Sequence, residues 1–355
     1  MDKFKIDSHK LMYHVDRLSD WHAGKNIYPI YIEVGPSGAC NHRCVYCALD
    51  FMEYQPRFLK TEIFLERLSE FGVKGVRSMM FAGEGEPFLH KDIAEIAVHT
   101  KKAGIDVAFT TNGTLMKRDI AEKILGVTEW IKISINGATA GTYAKIHRTT
   151  ENDFHRLINN LKEAVNLRRK NNYSCTIGMQ LLLLPDNYHE AVSLARLARD
   201  IGLDYLVIKP YSQHPQSKTN IYSNIKYSDY FFLQDELLKE NTADFQVIFR
   251  INTMKKWDNG QKPYNRCIAQ PFWSHIDAGG NVWGCSAFLN VERFLYGNIY
   301  EQTFQEIWEG KKRLESLHWV EGYMDATGCR LNCRMDEVNR YLWELKIPPE
   351  HVNFI

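Results

Sequence analysis

The chain is 355 residues long, 45% hydrophobic and 25% charged, with 44 Lys and Arg against 43 Asp and Glu for a formal net charge of +1. This is the balance of an ordinary folded domain, long enough for one large core with a smaller appendage. It leaves no basic footprint for nucleic acid or an anionic membrane surface, and the longest aliphatic block, Met179–Leu184, is far short of the ~20 residues a bilayer requires.

The N-terminal stretch Met1–Asp7 lacks the apolar core of a signal peptide, so a cytoplasmic protein is expected. Residues 1–27 read as an amphipathic helical extension packed outside the main fold. From 28 to 215, short β-like runs alternate with helical periods. The runs are Tyr28–Val34, Val76–Ala82, Ile105–Thr110, Trp130–Ile135, Tyr173–Leu184 and Asp204–Lys209. Apolar stripes between them, such as Phe154, Leu157, Leu161 and Val165, have helical spacing, and Gly72, Gly104, Gly126 and Gly202 close several units. Repeated βα units predict a parallel sheet with right-handed crossovers. Six of them predict an α/β fold with a partial (β/α)6 barrel, its chemistry in the loops after the strand C-termini. The basic run Arg168–Arg169–Lys170 ends a helical stretch and reads as a solvated helix end.

After Pro210 the alternation stops. Residues 216–263 read as an irregular connecting segment with a helical patch near 228–239. Residues 264–355 read as a small α+β auxiliary domain closed by a helix, roughly Met335–Leu345.

Eight cysteines without a secretory context argue for metal or iron–sulfur ligation over a disulfide framework. Three stand together directly after the first run, in Cys40-Asn41-His42-Arg43-Cys44-Val45-Tyr46-Cys47. Three thiolates leave one iron of a four-iron cubane without a protein ligand, open to a small molecule. A structural zinc site takes four ligands, and the fourth would have to be His42 or a distant residue. Three further loops follow successive runs: Ala82-Gly83-Glu84-Gly85-Glu86-Pro87, Thr110-Thr111-Asn112-Gly113 and Ser134-Ile135-Asn136-Gly137. Glycines at such places let the main chain approach a ligand closely.

The Cx3Cx2C triad with Tyr46 before its third cysteine, followed by these loops in this order, resembles the radical S-adenosylmethionine superfamily over about residues 28–215. The resemblance implies that Cys40, Cys44 and Cys47 hold a [4Fe–4S] cluster whose open iron binds S-adenosylmethionine. Reductive cleavage of that cofactor then yields a 5′-deoxyadenosyl radical, with an electron donor such as flavodoxin or ferredoxin. It assigns cofactor contacts to Tyr46, Gly83, Glu84, Gly85, Glu86, Asn112, Ser134, Asn136 and Arg148. The second loop departs from the family's Gly-Gly-Glu-Pro pattern in having Glu84 where the first glycine usually stands. Gln180, Lys209 and Tyr211, at or near the ends of the last two runs, are polar candidates for contact with a substrate.

Cys267, Cys285, Cys329 and Cys333 are separated by 17, 43 and 3 residues. Four thiolates complete a closed shell, either zinc or a second [4Fe–4S] cluster. The Gly-x4-Cys element at Gly280–Cys285 and the terminal Cx3C resemble the SPASM-type extension in its shorter, single-cluster twitch form. That implies an auxiliary [4Fe–4S] cluster. Cys175 is left over. It stands five residues before Gln180, ~16 Å away along a strand, toward the closed end of the barrel.

A radical epimerase needs a hydrogen donor facing the substrate, often a thiol, and no spare thiol stands at the barrel mouth. The expectation is therefore a net two-electron oxidation, with dehydration or epimerisation as alternatives. The substrate class expected is a small polar metabolite: a sugar, aminocyclitol or nucleotide-linked sugar. A peptide-modifying maturase is the alternative enzyme, and a non-catalytic metal-binding module the alternative of another class.

Overall fold

The β-like runs of the first 215 residues form strands, and they do so in the order of the chain. A computed structural model describes residues 3–354. It contains β1 (Tyr31–Val34), β2 (Ser78–Phe81), β3 (Asp106–Thr111), β4 (Thr128–Ser134), β5 (Thr176–Leu182) and β6 (Tyr205–Lys209). Each is paired in parallel with its sequence neighbour. Their Val, Ile, Met and Phe side chains are almost entirely buried, as strands covered by helices require.

Two further strands extend this sheet. β7 (Gln246–Phe249) pairs in parallel with β6, and β8 (Trp273–Ile276) pairs in parallel with β1. β9 (Asn281–Trp283) and β10 (Leu295–Asn298) continue antiparallel beyond β8. The described residues thus form one ten-stranded sheet ordered β10-β9-β8-β1-β2-β3-β4-β5-β6-β7. The segment 216–263, read as irregular, therefore contributes a barrel strand. Its four residues, between Phe245 and Arg250, are too few to show a period.

The N-terminal α1 (Val15–His22) precedes β1, and the crossover helices are α2 (Thr61–Val73), α3 (Ile93–Lys102), α4 (Arg118–Ile124), α5 (Ala140–His147), α6 (Glu151–Lys170) and α7 (Ala191–Ile201). α8 (Leu233–Leu238), α9 (Ile251–Asn259), α10 (Phe304–Trp308), α11 (Lys311–Gly322) and α12 (Asp336–Lys346) follow. α1 occupies only the middle of the N-terminal extension, after a short 3-10 turn at Leu11–Tyr13. α6 carries Glu151 and Asp153 in its first turn and Arg168, Arg169 and Lys170 in its last, the order its dipole favours. Arg168 is more than a solvated end. It pairs with Asp204 and donates to the carbonyls of Gly202 and Cys175, fastening α6 to the starts of β5 and β6. No helix among the described residues is long and apolar enough to cross a membrane.

Pairing in register fixes which side chains face the interior, because strand residues alternate faces. Glu33 is level with His275, Ser134 with Gln180, and Leu182 with Lys209. The sheet is not paired between β7 and β8 among the described residues. The segment from Cys329 to Asp336 is fastened at that gap: Asn332 donates to the Thr253 carbonyl, and Asp336 accepts from the Tyr264 hydroxyl and meets Lys256.

Candidate active site

The loop after β1 is shaped by glycines packed against the loop after β2. A Cβ on Gly85 would lie 2.0 Å from the Ala39 carbonyl oxygen, next to Cys40, and the Glu86 N–H donates to that same oxygen at 2.8 Å. Gly83 has φ +104, and a Cβ there would lie 2.8 Å from Gly35 Cα. The main chains of the two loops therefore touch. Cys40, Cys44 and Cys47 line a cavity of about 270 Å³ at the C-terminal mouth of the barrel. Tyr46, Gly83, Gly85, Glu86, Asn112, Ser134, Gln180, Lys209 and Tyr211 line it with them.

The three thiols converge in a place that penalises their charge. Burial pushes Cys40 up to about 12, with the Glu86 carboxylate adding to it. Cys44 is raised by burial and then by repulsion from Cys47 and Cys40, and Cys47 is raised by burial. Mutually repelling buried thiols suit a polycationic iron–sulfur core, which offsets both penalties. His147 lies behind Cys44, with Nδ1 3.3 Å from Sγ and Nε2 3.3 Å from the Asn136 side-chain amide. His42, Cys44 and His147 offer donor atoms within 4.8 Å of one another, and neither ring nitrogen of the buried His42 has a hydrogen-bond partner.

Glu86 ties the next loops together. Its carboxylate accepts from the Thr111 hydroxyl at 2.5 Å, the Asn112 N–H at 2.8 Å and the Phe88 N–H at 3.1 Å. Asn112 in turn donates to Asn41 in the cysteine loop at 2.8 Å. Asn136 is fully engaged: Oδ1 accepts the Leu182 N–H, and Nδ2 lies 2.6 Å from the Tyr46 hydroxyl. It positions Tyr46 without itself lining the cavity. Tyr211 is buried, and its hydroxyl donates to Gln213.

Besides Asn136, two residues expected at the cofactor lie outside the cavity lining. The Glu84 carboxylate, 3% exposed, pairs with Arg57 at 3.0 Å and accepts the Ala278 N–H at 2.8 Å. It binds the loop to the β8–β9 turn, away from the cavity. Arg148 caps the C-terminus of α5 with φ +47 and is exposed, outside the cavity lining.

The late cysteines come together across the fold. Cys267 precedes β8, Cys285 follows β9, and Cys329 and Cys333 lie in the segment at the barrel gap. All four line a second cavity of about 370 Å³. Burial pushes Cys267 up to about 12 and Cys333 to about 11, and raises Cys285, each with repulsion from other members of the set. Lys262 donates to the carbonyls of Ala326 and Cys329 at 2.7 and 2.5 Å, fixing the approach to the last pair. The two cavities share Ala48, Leu49, Gln180, Lys209 and Arg330. Cys175 is 1% exposed at the start of β5 and lines neither.

The second cavity also holds Lys132, Glu33, His275, Arg250 and Arg334, which sequence reading did not single out. Lys132 had a signal: a cation inside an apolar strand, two residues before Ser134 and so on its face. His275 and Arg334 had none, since β8 and the stretch after Cys333 meet the barrel only through long-range contacts with β1.

Residues 34–198 match the family described as the Radical SAM superfamily, and residues 267–334 match the iron–sulfur cluster-binding domain SPASM. The AdoMet-dependent heme synthase of Methanosarcina barkeri is 25% identical over 301 residues, covering 79% of this chain and 82% of that protein. A probable GTP 3′,8-cyclase of Saccharolobus solfataricus is 30% identical over 168 residues, 47% of this chain, and the match spans 52% of the cyclase, about half its length. Streptococcus suis SuiB, solved with bound S-adenosylmethionine, shares the fold at a TM-score of 0.62 and 18% identity, over 85% of this chain and 70% of SuiB.

Proposed function

This chain is a radical S-adenosylmethionine enzyme with an auxiliary iron–sulfur domain, and from that premise we propose that it oxidises a small polar metabolite held between its two sets of cysteines. The observation that carries this reading is the wall of Gln180, Lys209 and Arg330 common to both cavities. A molecule touching those residues is within reach of both centres.

When bound, S-adenosylmethionine and the first cluster supply a carbon-centred radical that removes a hydrogen atom. The chain's own part is placement. Cys40, Cys44 and Cys47 hold the first cluster, and Cys267, Cys285, Cys329 and Cys333 the second. The main chain at Gly83 and Gly85 and the side chains of Ser134 and Asn112 cradle the cofactor. Glu86 and Asn136 hold that cradle together through the hydrogen bonds described above. Gln180 and Lys209 meet the substrate, and buried Tyr211 closes the wall against water.

Oxidation of a CH–OH group to a carbonyl removes two electrons and two protons. One hydrogen atom would go to that radical, the second electron would pass through a cluster held by Cys267, Cys285, Cys329 and Cys333 to an electron-transfer protein such as flavodoxin or ferredoxin, and the second proton would go to water. Cys175 stands too far into the barrel floor to return a hydrogen atom, which supports oxidation over epimerisation. A sugar, aminocyclitol or nucleotide-linked sugar has the required CH–OH groups.

Anaerobic reconstitution tests the reading. About eight irons per chain and reductant-dependent 5′-deoxyadenosine are expected. A panel of such substrates deuterated at carbon should transfer deuterium to 5′-deoxyadenosine, with a carbonyl product in equal amount. Zinc without iron would sink the reading, and turnover of peptides alone would replace it with peptide modification.

A further inference from the structure

Six cations line the second cavity: Lys132, Lys209, Arg250, Lys256, Arg330 and Arg334. Three of them have carboxylate partners. Arg334 pairs with Glu33 at 2.8 Å, Arg250 with Asp7 at 3.0 Å, and Lys256 with Asp336 at 3.4 Å and with Glu337. Among the described residues the other three have none. Arg330 donates to the neutral Ser212 hydroxyl at 2.8 Å. Lys132 has the Trp130 ring 5.5 Å from its amine and feels Glu33 only at a distance, and Lys209 meets no acceptor.

Lys132 and Lys209 stand on β4 and β6, one on each side of β5, on the interior face of the sheet. Between them comes Gln180 from β5, and across the space comes His275 from β8. His275 is fully buried, yet neither of its ring nitrogens has a partner. Buried polar groups left without partners are costly, and a native fold keeps them where something else completes them. Burial also lowers the amine of Lys132 to about 7, with repulsion from Arg334 and Arg250 added, and lowers Lys209 well below its ordinary value, with Lys132 the largest repelling charge. An anion placed among these groups reverses both effects.

We propose that this cavity is an anion subsite, in which Lys132, Lys209 and Arg330 together take a carboxylate or phosphate group of the substrate. The planar fork of Arg330 suits two oxygens of such a group, and the two lysines neutralise it as point charges. The inference rests on the reading that substrate lies between the two sets of cysteines, and it narrows that substrate to an anionic one.

The test is calorimetric titration of the holoenzyme, with both clusters and S-adenosylmethionine bound. One arm uses inorganic phosphate and the other succinate, a dicarboxylate without phosphorus. Binding of either probe is expected, and the stronger one identifies the group. Lys132→Gln and Lys209→Gln should each weaken it about tenfold or more, a loss of ~1.4 kcal/mol. Lys132→Arg, which keeps the charge, should stay within about threefold, and Lys256→Gln, whose amine is already paired, within about twofold. Iron content equal to that of the unaltered enzyme establishes that each variant is folded. Two results overturn the inference: no binding of either probe, or binding unchanged in both glutamine variants. The second would mean that the cations serve only to balance the four-thiolate site. Formation of 5′-deoxyadenosine without anion binding strikes this inference alone; anion binding without 5′-deoxyadenosine strikes the radical reading alone.

Discussion

Glu86 accepts the backbone N–H of Asn112 at 2.8 Å, so the end of one strand loop is held by the carboxylate of the preceding one. Burial pushes that carboxyl up to about 7, outweighing its three hydrogen bonds. Glu86→Ala leaves the N–H groups of Asn112 and Phe88 buried without acceptors and should destabilise the fold by about 1–3 kcal/mol. Thermal unfolding of the cluster-free protein measures it. The same carboxyl takes up a proton on folding between its ordinary value of 4.5 and about 7. Its contribution to stability is therefore full below that window, falls as pH rises through it and is flat above. Glu86→Gln should remove this slope while keeping an acceptor for Asn112; an unaltered slope would assign the titration elsewhere.

Cys44→Ala should abolish 5′-deoxyadenosine formation and lower the iron content from about eight to about four per chain. Cys285→Ala should lose a similar amount of iron but keep some cofactor cleavage while substrate turnover fails. Iron analysis with product chromatography separates the two variants. Cleavage persisting in Cys44→Ala would refute its assignment as a ligand.

Gly85→Ala should be among the most damaging conservative changes in the chain, because the new methyl group would meet the Ala39 carbonyl at 2.0 Å. The loops after β1 and β2 would have to part, at a cost of about 1–3 kcal/mol typical of overpacking, and iron loading at the first site should fall with it. Gly322→Ala on α11 has open space at its Cβ and should be neutral or stabilising, by up to about 1 kcal/mol. Equal melting temperatures for the two variants would contradict the contact.

Cys175→Ala should reduce stability modestly, by about 1 kcal/mol, and leave substrate turnover unchanged. If Cys175 returned a hydrogen atom to the substrate, the variant would still cleave the cofactor but would accumulate a trapped or misrouted product. Chiral analysis of the product distinguishes these outcomes.

The barrel was legible in the sequence wherever its elements were local and periodic. β1 to β6 fall within the runs read from Tyr28 to Lys209, apart from ragged edges such as Thr111 and Thr128. β7 was not legible, because four residues carry no period. The pairing of β8 with β1 joins residues about 240 apart, and nothing in local spacing encodes that. At the site, the division of seven cysteines into two sets was readable from their spacing, and each set lines one cavity. The direction of the Glu84 side chain was not readable from its place in the loop pattern: it turns to Arg57 and the β8–β9 turn through contacts distant in sequence. Arg148 sits in the left-handed cap of α5, which turns it to solvent.

The segment fastened at the gap between β7 and β8 has a bearing on how the enzyme is assembled. That stretch carries Cys329 and Cys333, and it leaves the ribosome after every strand of the barrel. Without it the second cavity lacks the side lined by Cys329, Arg330, Asn332, Cys333 and Arg334. On the proposed ligation, whatever captures those two thiols would also set that side in place, so that delivery of the auxiliary iron and completion of the cavity would be a single maturation step. A chain that has received only its first cluster would be chemically armed but open to water.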